Sequence, residues 1–113
     1  MVRAVTTLTG ADNGTTVRMR VGDRVALQLY ENAATGYRWS LENVDNKLVF
    51  VHEDGDVRRT QGVGGGSTVQ WTLEAKATST TKINLKRWRR WEGEVSVQER
   101  FAVTLIIRRG NKV

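Results

Sequence analysis

The chain contains no cysteine, which excludes disulfides and any thiol chemistry of its own but leaves its compartment open. Proline is also absent, so the breaks between segments fall to glycine and to pairs such as Asn13-Gly14. No run of about 20 apolar residues occurs, so no helical membrane span is expected. Met1-Val2-Arg3-Ala4-Val5 lacks the long apolar core of a signal peptide, and a processed start would look the same. There is one histidine, His52, inside a segment that reads as a strand, where it is expected to be structural. No G-x-S-x-G pattern accompanies it. The acidic cluster Glu53-Asp54-Gly55-Asp56 lacks the spacing of a calcium loop and reads as a solvated loop. These absences argue against an enzyme, a bound metal and a cofactor.

What is present is alternation. The length of 113 residues fits one domain, 1–113, able to bury roughly two-thirds of its surface. Apolar residues recur at every second position in Val17/Met19/Val21, Val25/Leu27/Leu29, Tyr37/Trp39/Leu41, Val69/Trp71/Leu73, Ile83/Leu85 and Phe101/Val103/Leu105/Ile107. A weak first strand over Val2–Thr9 and a short one over Lys47–His52 bring the count to about eight, with no helix. That count and spacing point to an all-β sandwich or barrel. Lysine and arginine number 18 against 12 acidic residues, a net charge of +6 that favours acidic partners.

Three connections stand out. Asn32-Ala33-Ala34-Thr35-Gly36 is a slim loop edged by residues that tolerate left-handed backbone. A stretch of about 15 residues from Glu53 to Ser67 holds Gly62-Val63-Gly64-Gly65-Gly66, long for a compact β domain. A strand rather than a helix follows these glycines and no Lys-Ser/Thr pair is present, so a protruding contact loop fits better than a phosphate cradle. Trp88-Arg89-Arg90-Trp91-Glu92-Gly93 ends the seventh strand. By alternation with Ile83 and Leu85, Arg87 and Arg89 share one face, Trp88 faces the other way and Trp91 falls in the loop. If every strand crosses the whole domain, connections one, three, five and seven lie at one end, which gathers all three unusual loops there.

The interleaved cations and indoles of the last loop suit a protein interface or single-stranded nucleic acid, bound through phosphate contacts and stacking on Trp88 and Trp91. A carbohydrate- or surface-binding module could use the same tryptophans, although nothing in the spacing favours it.

The three loops together carry a resemblance. Asn32-Ala33-Ala34-Thr35-Gly36-Tyr37-Arg38-Trp39 resembles the N-P-T-T-G-Y/F-x-W motif of the chagasin-type inhibitors of papain-like cysteine peptidases. Gly62 to Gly66 resembles that family's G-x-G-G loop, Arg89-Arg90-Trp91-Glu92-Gly93 its R-P-W/F-E-G motif, and Gln98-Glu99-Arg100-Phe101 its N-E-R-Y/F. The resemblance covers nearly the whole chain, in order. It implies an immunoglobulin-like antiparallel β-sandwich of about eight strands and a reversible, non-covalent inhibitor of enzymes of the papain and cathepsin L type. The implied peptidase-binding residues are Asn32 to Tyr37, Val63 to Gly66, and Arg89, Arg90 and Trp91. Ala34 and Thr35 would sit nearest the catalytic cysteine, with the other two loops gripping the cleft from either side. A monomer without cofactor is implied, periplasmic or secreted if the start is processed and otherwise cytoplasmic, with nucleic acid not the expected partner. Ala33 and Arg90 replace the two family prolines, which leaves those loops without a pre-set backbone, and Ala34 replaces a threonine.

Overall fold

The computed structural model describes residues 5–59 and 66–110. Eight strands run β1 (Val5–Leu8), β2 (Thr16–Arg20), β3 (Arg24–Glu31), β4 (Arg38–Leu41), β5 (Val49–Arg59), β6 (Ser67–Ala75), β7 (Ser79–Trp88) and β8 (Glu99–Arg108). Only short 3-10 turns interrupt them among the described residues. The strands form two four-stranded sheets, ordered β1-β3-β6-β5 and β2-β8-β7-β4.

The alternation read from the sequence sorts side chains between core and surface. Leu27, Leu73, Ile83, Leu85 and Leu105 are fully buried, and Trp39 and Trp71 join them between the sheets. Burial of this apolar layer, spread over all the strands, is what drives the two sheets together.

Both sheets are mixed rather than purely antiparallel. β1 pairs with β3 in parallel, Thr6 opposite Val25, and β2 pairs with β8 in parallel, Val17 opposite Leu105. The physical reason is the one that gathers the loops. Each strand reverses the direction of the one before it, so two odd-numbered or two even-numbered strands that become neighbours run the same way. The pairs β3–β6, β5–β6, β4–β7 and β7–β8 join strands of opposite parity and are antiparallel.

The acidic cluster, read as a solvated loop, is part of a strand. Glu53 to Asp56 does not form a loop; it continues β5 as far as Arg59. Two register shifts, between Glu53 and Gly55 and between Asp56 and Arg58, each insert one extra residue and break the alternation. Cross-strand bonds hold the polar residues in the ladder: the Asp54 carboxylate accepts from the Thr72 hydroxyl at 2.6 Å and the Gln70 amide at 2.8 Å, and Asp56 accepts from the Ser67 hydroxyl at 3.0 Å. The break between β5 and β6 is therefore about half the expected length. His52 lies on this strand with its side chain exposed, 3.5 Å from Asp54.

Candidate functional site: three loops at one end of the sandwich

Topology sets the Asn32 loop between the start of β6 and the end of β7. The third connection joins β3 of the first sheet to β4 of the second. At its base Glu31 pairs with Ser67, the start of β6, while Arg38 pairs with Trp88, the end of β7. Gly66 and the start of β6 therefore flank the Asn32 loop on one side and the Trp91 connection flanks it on the other.

The central loop is built from its own side chains. Asn32 caps a single 3-10 turn, Ala33–Thr35: its side-chain oxygen accepts from the Ala34 N–H at 3.1 Å. The Thr35 hydroxyl donates to the Asn32 carbonyl at 2.7 Å. Gly36 closes the turn at φ +82, a left-handed conformation that costs glycine little. Asn32 and Tyr37 then meet across an isolated bridge, so the loop has a closed neck. Ala33, Ala34 and Thr35 project exposed from it.

Glu31 anchors the neck. Only 2% exposed, it accepts from the Arg38 guanidinium at 2.8 Å and from the Trp39 backbone N–H at 2.9 Å. The Trp39 indole N–H donates to the Tyr30 carbonyl at 2.9 Å. A buried carboxylate is costly unless its oxygens are hydrogen-bonded, and both oxygens here are. Glu31 was missed as a functional residue in the sequence, although Val25, Leu27 and Leu29 already place position 31 on the inward face.

The seventh connection folds as two successive 3-10 turns, Arg90–Glu92 and Glu94–Ser96. Ser96, buried behind them, accepts from the Arg89 N–H at 3.0 Å and lies within donating distance of the Arg89 and Gly93 carbonyls, 2.9 and 2.7 Å away. Glu94 ties the connection to the second sheet through Lys86, at 2.8 Å, and Arg100. Those bonds, from Lys86 first and Arg100 second, hold the Glu94 carboxyl below its usual range.

Arg89 turns inward onto the central loop. Its Nε and Nη2 donate to the Thr35 carbonyl at 3.1 and 2.9 Å, its Nη1 meets Glu92 at 3.0 Å, and its guanidinium lies 4.3 Å from the Tyr37 ring centroid. The Trp91 indole lies against Gly36, where a Cβ would stand 2.6 Å from its Cη2 atom, yet the ring remains 72% exposed. Arg90 is exposed beside it. Trp88, on the opposite face as expected, is half-buried, with its indole N–H on the Ser40 hydroxyl at 3.0 Å and the Lys86 ammonium 3.8 Å above its ring.

Of the glycine-rich segment, Val63, Gly64 and Gly65 lie outside the described residues. Gly66 is buried, and a Cβ there would fall 2.4 Å from the Glu31 carbonyl and 2.5 Å from the Tyr30 ring. The end of that connection thus packs directly on the neck of the central loop.

The comparisons bear on what such an arrangement does. Residues 18–105 match the family described as chagasin family peptidase inhibitor I42. This protein belongs to the chagasin family. Chagasin of Trypanosoma cruzi is 33% identical over 103 residues, which cover 87% of this chain and 94% of that protein. A cysteine protease inhibitor of Entamoeba histolytica, EhICP2, shares the fold at a TM-score of 0.78 and 24% identity, over 94% of this chain and 97% of that one. PbICP-C, solved in complex with falcipain-2, shares it at a TM-score of 0.66 and 15% identity, over 94% and 91% of the two chains. The family is one of peptidase inhibitors, so this chain is an inhibitor and not an enzyme.

Proposed function

We propose that this protein blocks papain-like cysteine peptidases reversibly and non-covalently, by seating the Ala33–Thr35 tip in the active-site cleft and closing the flanking loops on the cleft walls. The observation that carries this reading is a slim exposed tip set between Gly66, at the start of β6, and an exposed indole. The tip has a closed neck and an internally bonded turn, so little conformational freedom remains to be lost on binding. Trp91 offers a rigid anchor of the kind that dominates protein interfaces. The flanking loops extend the contact toward the standard interface of about 1,600 Å².

Arg89 takes a different role in this reading from that of a wall contact. Its donors are directed at Thr35 and Glu92, so it serves as a strut that sets the tip. Arg90 and Trp91 remain to meet the enzyme. Nucleic acid is a poor partner for this loop, because the Trp88 ring is capped by Lys86 and its N–H is bonded to Ser40. The protein acts as a monomer in this reading, and the two bulges of edge strand β5 guard against edge-to-edge pairing.

Titration against papain and a cathepsin L-type enzyme with a fluorogenic peptide tests the proposal. Nanomolar, reversible inhibition without cleavage of the inhibitor is expected. No inhibition of either enzyme at micromolar concentration would overturn it.

A further inference from the structure

Arg24, Arg38, Lys86, Arg87, Arg89 and Arg100 each lie within 4 Å of a carboxylate. Arg18, Lys82 and Arg108 are exposed and have no ion-pair partner among the described residues. These three point outward from the sheet β2-β8-β7-β4, toward the end away from the three loops. No carboxylate occupies an outward strand position on this half of the sheet: Thr16, Thr80 and Thr104 lie between the cations, together with the half-buried Ile106, which stands directly opposite Arg18.

We infer that this face binds a linear acidic polysaccharide, one carrying sulfate or carboxylate groups along its length. Lys82 and Arg18 sit two strands and one outward step apart, about 12 Å from ordinary sheet spacings, so the cations form a band and not a point site. A band of fixed cations suits a chain of repeated anions. The three threonine hydroxyls between them suit sugar hydroxyls. The face holds no aromatic ring on which bases could stack, which disfavours single-stranded nucleic acid. The exposed large apolar residues, Tyr30, Phe50, Val57, Trp91 and Val95, all lie elsewhere, and the single half-buried Ile106 among the cations is too little to insert among lipid chains. A polysaccharide held here leaves the opposite end free, so the inhibitor could be retained on an anionic matrix with its loops presented.

The test uses the full chain and compares two variants of equal charge change. Arg18→Glu with Lys82→Glu alters the face; Lys47→Glu with Lys76→Glu alters exposed positions in the connections flanking the other sheet. Binding to a size-defined heparin oligosaccharide and to polygalacturonate is measured by calorimetry at about 0.15 M salt, alongside oligo-dT and phosphatidylserine vesicles. The expected result is at least a tenfold loss for the face variant, less than twofold for the control, and weaker binding of DNA and vesicles by the parent. Arg18→Gln with Lys82→Gln provides a milder pair, expected to lose about half as much on a logarithmic scale, should charge reversal disturb folding. Papain inhibition by the face variant is expected at the parent's level. Equal losses in the face and control variants, tighter binding of DNA or vesicles, no polysaccharide binding at this salt, or a parallel loss of papain inhibition would each overturn the inference.

Discussion

The Arg89 guanidinium grips the Thr35 carbonyl from two nitrogens, at 3.1 and 2.9 Å, across 54 residues of sequence. This fork joins the seventh connection to the tip of the third. Hydrogen bonds from a charged donor are worth about 1.5–3 kcal/mol. We predict that Arg89→Ala raises the inhibition constant about tenfold or more while the melting temperature changes little. Lysine carries the charge without the fork, so Arg89→Lys should recover only part of the loss. An Arg89→Lys variant as potent as the parent would show that charge alone suffices.

Two glycines are required for separate reasons. Gly36 is left-handed and faces the Trp91 ring, so Gly36→Ala strains the backbone and pushes the indole aside. Gly66 lies against the Glu31 carbonyl and Tyr30, and backbone cannot yield as a side chain can. Each alanine variant should weaken inhibition at least tenfold, and Gly66→Ala should also lower the melting temperature, since it disturbs the start of β6. Calorimetry with inhibition titrations on the two variants separates these outcomes.

Trp91 is mostly exposed and packs on the loop rather than on the core. Trp91→Ala should therefore leave the fold intact and cost about 2 kcal/mol of binding, roughly a thirtyfold rise in the inhibition constant. Inhibition unchanged by this variant would remove Trp91 from the interface.

How much of this was legible in the sequence differs from element to element. The two-residue alternation marked six strands and the inward faces because side-chain direction is a local property of a strand. The far half of β5 was hidden because the extra residues at its two bulges shift the period out of phase. The parallel pairs were hidden because a strand's neighbour is chosen by the whole sandwich and not by its own residues. The same holds at the site. Alternation put Arg89 on the face of Leu85, but the partner it finds there, Thr35, belongs to a distant turn. Glu31 could have been found: a carboxylate at the inward position after Val25, Leu27 and Leu29 demands a buried partner, and Arg38 is seven residues on.

Glu94 makes the seventh connection sensitive to acid. Its carboxyl is held below the ordinary value of 4.5 by Lys86 and Arg100. A folded-state value below the unfolded one adds stability that is fully present above about 4.5 and is lost as pH falls toward the lowered value. Thermal melts between pH 6 and pH 3 should show stability falling at the acid end, and Glu94→Gln should flatten part of that fall. The Glu94 side chain is largely exposed to solvent, so the effect should shrink in high salt.

Restoring the two prolines should stabilise the protein without strain. Ala33 and Arg90 each occupy the first residue of a 3-10 turn, and the residues before them, Asn32 at φ -121 and ψ 98 and Arg89 at φ -97 and ψ 110, are already extended. Proline demands that extended backbone of its predecessor and is favoured at the first position of a helical turn. The bonds that close these turns are donated by Thr35, Gly36, Glu92 and Gly93 and not by the Ala33 or Arg90 N–H, so proline removes none of them. Each substitution should therefore add about 0.4–1 kcal/mol by restricting the unfolded chain, or a few degrees in melting temperature. The two should part company in binding. Ala33→Pro pre-orders the tip and should tighten inhibition across peptidases. Arg90→Pro also removes the exposed cation beside Trp91 and should weaken inhibition selectively for enzymes with an acidic cleft rim, with the gap narrowing as salt rises. A salt-independent, uniform effect of Arg90→Pro would instead assign the change to backbone order alone.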